Sequence, residues 1–133
     1  MFHNIDGAMN SCIESCGDCA NECKEVLFQH CLNKGGAHIE QSHVNLMVDC
    51  IQICRMTADF MLRGSDMHML SCALCAEICD ACAASCEEIG DEEMQECAEL
   101  CRQCAESCRE MSGNIHLPHE STMTHSQATR PYM

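Results

Sequence analysis

Tryptophan is absent from this chain of 133 residues, tyrosine occurs once and phenylalanine three times. Leu, Ile and Val are also few for a domain of this size, so the usual material of a packed interior is missing. Proline occurs twice, at Pro118 and Pro131, so nothing before residue 118 is broken by it. Bases number 7 against 21 acids, a formal net charge of -14. Such a balance argues against nucleic acid or an anionic membrane surface as a partner. No stretch comes near the roughly 18 consecutive apolar residues that read as a membrane span. The start, MFHNIDGAMNSC, has neither the basic nor the apolar region of a secretion signal. The expectation is a cytoplasmic protein whose thiols stay reduced, where a cysteine array points to metal or catalysis rather than disulfides.

What is present in excess is sulfur: 16 Cys and 11 Met. Gly and short polar breaks divide the chain into four segments, from about Asn4 to Lys34, Ala37 to Arg63, Ser65 to Gly90, and Asp91 to Ser112. Gly35-Gly36, Gly64 and Gly90 mark the junctions. Ser65-Asp66 is a candidate N-cap, and Asp91-Glu92-Glu93 suits a helix start. No segment alternates with the two-residue period of a strand. The junctions are short, which makes successive helices antiparallel neighbours. The predicted fold is all-α, an antiparallel four-helix bundle over residues 1–112 with a cysteine-lined core. Residues 113–133, with both prolines and His116, His119 and His125, read as a flexible tail.

The cysteines carry a helical period. They stand at Cys12, Cys16, Cys19 and Cys23; at Cys50 and Cys54; at Cys72, Cys75, Cys79, Cys82 and Cys86; and at Cys97, Cys101, Cys104 and Cys108. Steps of three and four keep residues on one helix face, and four separate segments repeat the pattern. Cys31 alone falls to one side. These are also the positions of a bundle's core residues, so Cys as a small buried hydrophobe is the plain alternative. Leu and Ile would fill that space better and would not oxidise. Neighbours four apart on a helix have near-parallel Cβ directions, which disfavours disulfides between them.

Four such faces make a tube of thiols. Thiolate selects Cu(I), Zn(II) or iron–sulfur clusters. Cluster ligands usually come from loops and structural zinc from closed tetrahedra, whereas these ladders do not divide into fours. Replacing a thiol proton by Cu(I) leaves the core charge unchanged. Four-thiolate zinc sites would each add formal negative charge to a narrow core. Cu(I) is therefore the expected cargo. A zinc or cadmium reservoir of metallothionein type and a copper chaperone are the rivals. A thiol redox enzyme needs one activated, exposed pair, and no C-x2-C stands apart here, so no catalytic site is expected.

The ladders CIESCGDCANEC, CIQIC, CALCAEICDACAASC and CAELCRQCAESC resemble those of the cysteine-rich four-helix-bundle copper storage proteins, of the cytosolic type without an export signal. The resemblance spans about residues 5–112. It implies a preformed bundle that binds many Cu(I) ions, often as a homotetramer, for storage rather than catalysis.

Antiparallel helices also gather residues at two ends. One mouth should collect Met9, Met61, His68 and Met111 around Cys12, Cys72 and Cys108, a candidate entry port. The other should hold His30, Cys31, His43, Met47 and Met94, with Leu27, Ile39 and Leu46 as an apolar plug. His30 and His43 fall on the cysteine faces and are candidate ligands. Val44, Val48 and Ile51, with Leu70, Leu74 and Ile78, form a second apolar stripe that predicts an oligomer.

Overall fold

The computed structural model describes residues 7–113, 115 and 117. Four long helices hold most of them: α1 (Gly7–Val26), α2 (Gln41–Leu62), α3 (His68–Ile89) and α4 (Glu92–Ser112). No strand occurs among the described residues. Each helix packs on the one before and the one after it, and α4 closes the ring against α1. This is the predicted bundle. Helices of 20 to 22 residues give rods of roughly 30 Å.

The ends of α3 and α4 meet in a tight corner. Gly90 stops α3 at φ 84° and ψ 0°, a left-handed conformation, and its amide donates to the Cys86 carbonyl at 3.0 Å. Asp91 then caps α4: its carboxylate accepts the Met94 amide at 3.0 Å, and Glu92 and Glu93 follow in the first turn. The other expected cap differs. α3 begins at His68, and Ser65 accepts the Met67 amide at 3.1 Å, so Ser65 closes the entry turn and not the helix itself.

The first rod continues past Val26. Leu27–Cys31 form one π turn and Leu32–Lys34 a last α turn. The Leu32 amide bonds the Leu27 carbonyl, five residues back. At about 100° per residue, Cys31 would stand about 80° off the Cys23 stripe in a regular α-helix. The wider π turn slows the rotation and returns Cys31 to the core, fully buried. The same delay turns His30 out of the cysteine line, where an unbroken helix would have placed it, to a half-buried position on the outside. A short 3-10 segment, Gly36–Ile39, leads to α2. Ile39 is 45% exposed, so it takes no part in the expected plug.

By length and composition α3 passes the test for a membrane span, with a mean hydropathy of 1.5 over its best window. That corrects the expectation that no stretch would. The hydropathy comes from Cys and Ala on the core side, and half of that window is buried inside the bundle. Of the second apolar stripe, Leu70 and Leu74 are exposed, whereas Val44, Val48, Ile51 and Ile78 are half-buried against their own core. The tail histidines and most of residues 113–133 lie outside the described residues. Ile115 and Leu117 line a cleft of about 140 Å³ with Ala73, Ala76 and Arg109, so these two residues lie against α3 and α4.

Asp91→Ala should lower the stability of the reduced protein by about 1 kcal/mol or more, since it removes the α4 cap. Urea unfolding followed by circular dichroism measures this. An unchanged midpoint would mean that the cap is not used.

Candidate metal centre

All 16 cysteines are free and fully buried. Ala20, Ala76, Ala83, Ala98 and Ala105 flank them, small enough to let the helices approach closely. Sulfurs from neighbouring helices touch along the axis. Cys12 and Cys16 each lie 3.7 Å from Cys108, and Cys16 lies 3.7 Å from Cys104. Cys54 meets Cys75 at 3.8, Cys79 at 3.6 and Cys104 at 3.8 Å. Cys19 lies 3.7 Å from both Cys50 and Cys101, and Cys23 lies 3.7 Å from Cys97 and Cys101. These are contacts between thiols, well beyond the roughly 2.05 Å of a disulfide.

The spacing suits a shared metal. With metal–sulfur bonds of roughly 2.3 Å, tetrahedral or trigonal geometry asks for sulfurs roughly 3.8–4.0 Å apart. Groups of four bring all their sulfurs within 4.8 Å of one another, among them Cys16, Cys75, Cys104 and Cys108; Cys54, Cys75, Cys79 and Cys104; Cys19, Cys50, Cys54 and Cys79; and Cys19, Cys23, Cys50 and Cys101. Each shares two sulfurs with the next: Cys75 and Cys104, then Cys54 and Cys79, then Cys19 and Cys50. Cys108 links the first to a trio with Cys12 and Cys72. The lattice is continuous, with no boundary at which one closed site ends and another begins.

Protonation is shared in the same way. Burial, with the neighbouring acidic groups of Cys97, Asp91 and Cys82, pushes the Cys31 thiol up to about 11. Inside the ladder, S–H donors decide. Cys19 is lowered chiefly by its hydrogen bond with Cys101, and Cys75 by its interaction with Cys104. Cys54 and Cys101 are raised by their bonds to Cys104 and Cys19 and by burial. A thiolate formed here is held by neighbouring thiols, as no Lys or Arg is buried among the described residues. A soft monovalent cation can take the place of each proton lost.

At the mouth formed by the starts of α1 and α3 and the ends of α2 and α4, Met61 is buried and its Sδ accepts from Cys72 at 3.9 Å. Met9 and Met111 pack half-buried against the same core. His68 is half-buried in the first turn of α3, and its Nδ1–H donates to the Ser65 carbonyl at 2.9 Å. That bond leaves the Nε2 lone pair to act as a ligand.

The other end is sealed by Leu27, Met47 and Met94, all buried. Met47 Sδ accepts from Cys82 at 3.6 Å and from Cys86 at 3.7 Å. Cys31 lies 3.6 Å from Met94 Sδ and 3.7 Å from His43 Nε2. His43 is 3% exposed, and Ser85 holds its Nδ1 at 2.8 Å, which aims Nε2 at Cys31. Burial keeps this imidazole below its ordinary pKa, neutral and able to ligate. His30 does not join them: its Nε2–H donates to Asp91 at 3.1 Å, outside the core.

Sequence reasoning located Met47 and Met94 at this end without giving them a ligand's place. Both stand three residues before a ladder cysteine, Cys50 and Cys97, and so continue the same stripe. Thr57 went unnoticed. It is fully buried, three residues after Cys54, where the α2 stripe asks for another core residue; its hydroxyl pairs with Ser71. The α2 stripe thus reads His43, Met47, Cys50, Cys54, Thr57, Met61, all buried.

Cys50 belongs to two of these quartets. Cys50→Ala should lower the Cu(I) capacity of the reduced protein by a fraction and leave most of it, as measured by titration against a chromophoric Cu(I) chelator. Loss of all uptake would show one cooperative cluster and contradict a continuous lattice.

Comparison with known proteins agrees with this arrangement. The family described as Csp, copper storage protein, matches residues 6–113. The crystal structure of the Nmul_A1745 protein from Nitrosospira multiformis is 46% identical, with a TM-score of 0.75 over 79% of this chain and 94% of that one. The Cu(I)-bound copper storage protein BsCsp3 is 34% identical, with a TM-score of 0.74 over 80% and 99%. An uncharacterized cysteine-rich protein, YhjQ of Bacillus subtilis, is 36% identical over 57% of this chain and 69% of its own length. With the family match running through all four ladders, the chain belongs to the copper storage protein family.

Proposed function

We propose that this protein stores Cu(I), holding many ions at once on the thiolates that line the bundle. The observation that carries this reading is the run of sulfur quartets that share edges through the buried core. Thiolates that bridge neighbouring ions suit Cu(I), which accepts few sulfurs and adds one charge for each proton displaced. The family match and the Cu(I)-bound relative point the same way.

The rivals fare less well. A zinc or cadmium reservoir would use the same quartets, but each independent four-thiolate site would need sulfurs that the next site also needs. A chaperone hands over one ion from an exposed site, and no described cysteine is exposed. Among the described residues the thiol–imidazole contact Cys31–His43 is buried and lines no cleft, and the matched family is one of storage, so we read the chain as a non-enzyme.

Copper would enter between Met9, Met61, His68 and Met111 and pass to Cys12, Cys72 and Cys108. Cys31, His43 and Met94 would form the last site at the sealed end. The exposed Leu70 and Leu74 beside half-buried Ile78 support assembly with further copies, a homotetramer by resemblance. The acidic surface and free thiols suit a reducing cytoplasm.

Titration of the reduced protein with Cu(I) and, separately, with Zn(II), each against a competing chelator, tests the reading. More than about ten Cu(I) should bind per chain, since each of the thiols can exchange its proton for one ion. Saturation near one Cu(I), or tight uptake of about four Zn(II) with little Cu(I), would overturn it.

A further inference from the structure

His30, displaced from the core by the π turn, meets a second imidazole outside it. His38 comes from the 3-10 segment Gly36–Ile39, and Asp91 from the corner before α4. His30 Nε2 lies 3.1 Å and His38 Nε2 2.7 Å from the same oxygen, Asp91 Oδ2. The two rings stand edge to face, 5.2 Å apart at 79°, so their nitrogens converge and do not stack. Both histidine side chains are 14% exposed. Asp91 is fixed by its other oxygen, which accepts the Met94 amide. Glu93 brings a further carboxylate oxygen 4.0 Å from His30 Nε2. No sulfur takes part.

We infer that His30, His38 and Asp91, with Glu93 as an added ligand, form an outer site for one divalent cation of borderline softness, separate from the thiol core. Two imidazoles and a carboxylate suit Zn(II) or Cu(II), whereas the thiol ladder suits Cu(I). Bonds of roughly 2.0–2.2 Å to nitrogen and oxygen set tetrahedral ligand atoms roughly 3.3–3.5 Å apart, within a few tenths of an ångström of the spacing from His30 to Asp91; His38 Nε2, hydrogen-bonded at 2.7 Å, would draw back by roughly half an ångström or more to ligate. Binding requires each Nε2 to give up its proton, either to Nδ1 of the same ring or to water, after which the lone pair faces the ion. The Met94 amide on Asp91 Oδ1 plays the orienting part that such carboxylates usually receive from a hydrogen bond. An ion here would join the π turn, the 3-10 segment and the start of α4 across the sealed end of the bundle.

The test uses the full chain already saturated with Cu(I) under anaerobic conditions, so that empty thiols do not take the probe. Zn(II) is added in calorimetry, and imidazole nitrogens are followed by NMR. The expected result is one Zn(II) per chain, shifts in two histidine rings, and a raised unfolding temperature. In His38→Gln the affinity should fall about tenfold or more, as loss of an orienting partner alone costs 10- to 100-fold, while Cu(I) capacity stays unchanged and shows that the bundle is intact. No uptake of Zn(II) by the Cu(I)-loaded protein, or uptake equal in His38→Gln and therefore located elsewhere, such as on the tail histidines, would overturn the inference.

Discussion

Contact between sulfurs on different helices is the constraint on which the rest of the structure depends. Sixteen thiols are kept within reach of one another along the bundle axis, and the phase of each helix does this. A step of three or four residues holds a face; a single extra residue would swing the later thiols away by about 100°. The chain meets one such mismatch, between Cys23 and Cys31, and absorbs it in a π turn. That device keeps Cys31 in the core and moves His30 out, and so separates a thiol interior from a nitrogen-and-oxygen exterior at the sealed end.

A core of this composition has consequences for stability. Cysteine and alanine bury less apolar area than leucine, so each position contributes less hydrophobic free energy. The bundle relies more on helix-forming sequence, on closed corners such as Gly90-Asp91, and on close helix approach. Charged pairs outside the core add little each: Arg102 bridges Glu87 and Asp80 between α4 and α3, and Arg109 reaches Asp80 at 2.7 Å. What is given up in hydrophobic burial is available to copper, since each bound ion ties helices together through sulfur.

The ladders were legible because their period is written in one residue type, and glycine punctuates the turns. Helix number, direction and the two ends followed from that. His43, Met61, Cys72 and Cys108 sit where spacing put them. The misplacements share a cause: regular α geometry was assumed throughout. Nothing in LFQHC announces a π turn, so Cys31 and His30 exchanged roles. Ile39 was placed in the core as though it belonged to a helix, but it lies in a 3-10 segment that turns it outward. The hydropathy of α3 does not show as an unbroken apolar run, because Glu77 and Asp80 interrupt it and its apolar content is mostly cysteine and alanine. Ser85 could not be found at all: its bond to His43 links two helices 42 residues apart in sequence, and only the fold brings them together.

The central claim is that a finished bundle exchanges protons for Cu(I) without refolding. Proton release answers this most directly. Cu(I) is added stepwise to the reduced protein in weak buffer, with pH and far-ultraviolet circular dichroism recorded together. The account predicts close to one proton released per Cu(I) through most of the filling, with the helical signal constant. Copper uptake with little proton release, or a helical signal that grows as copper binds, would contradict it.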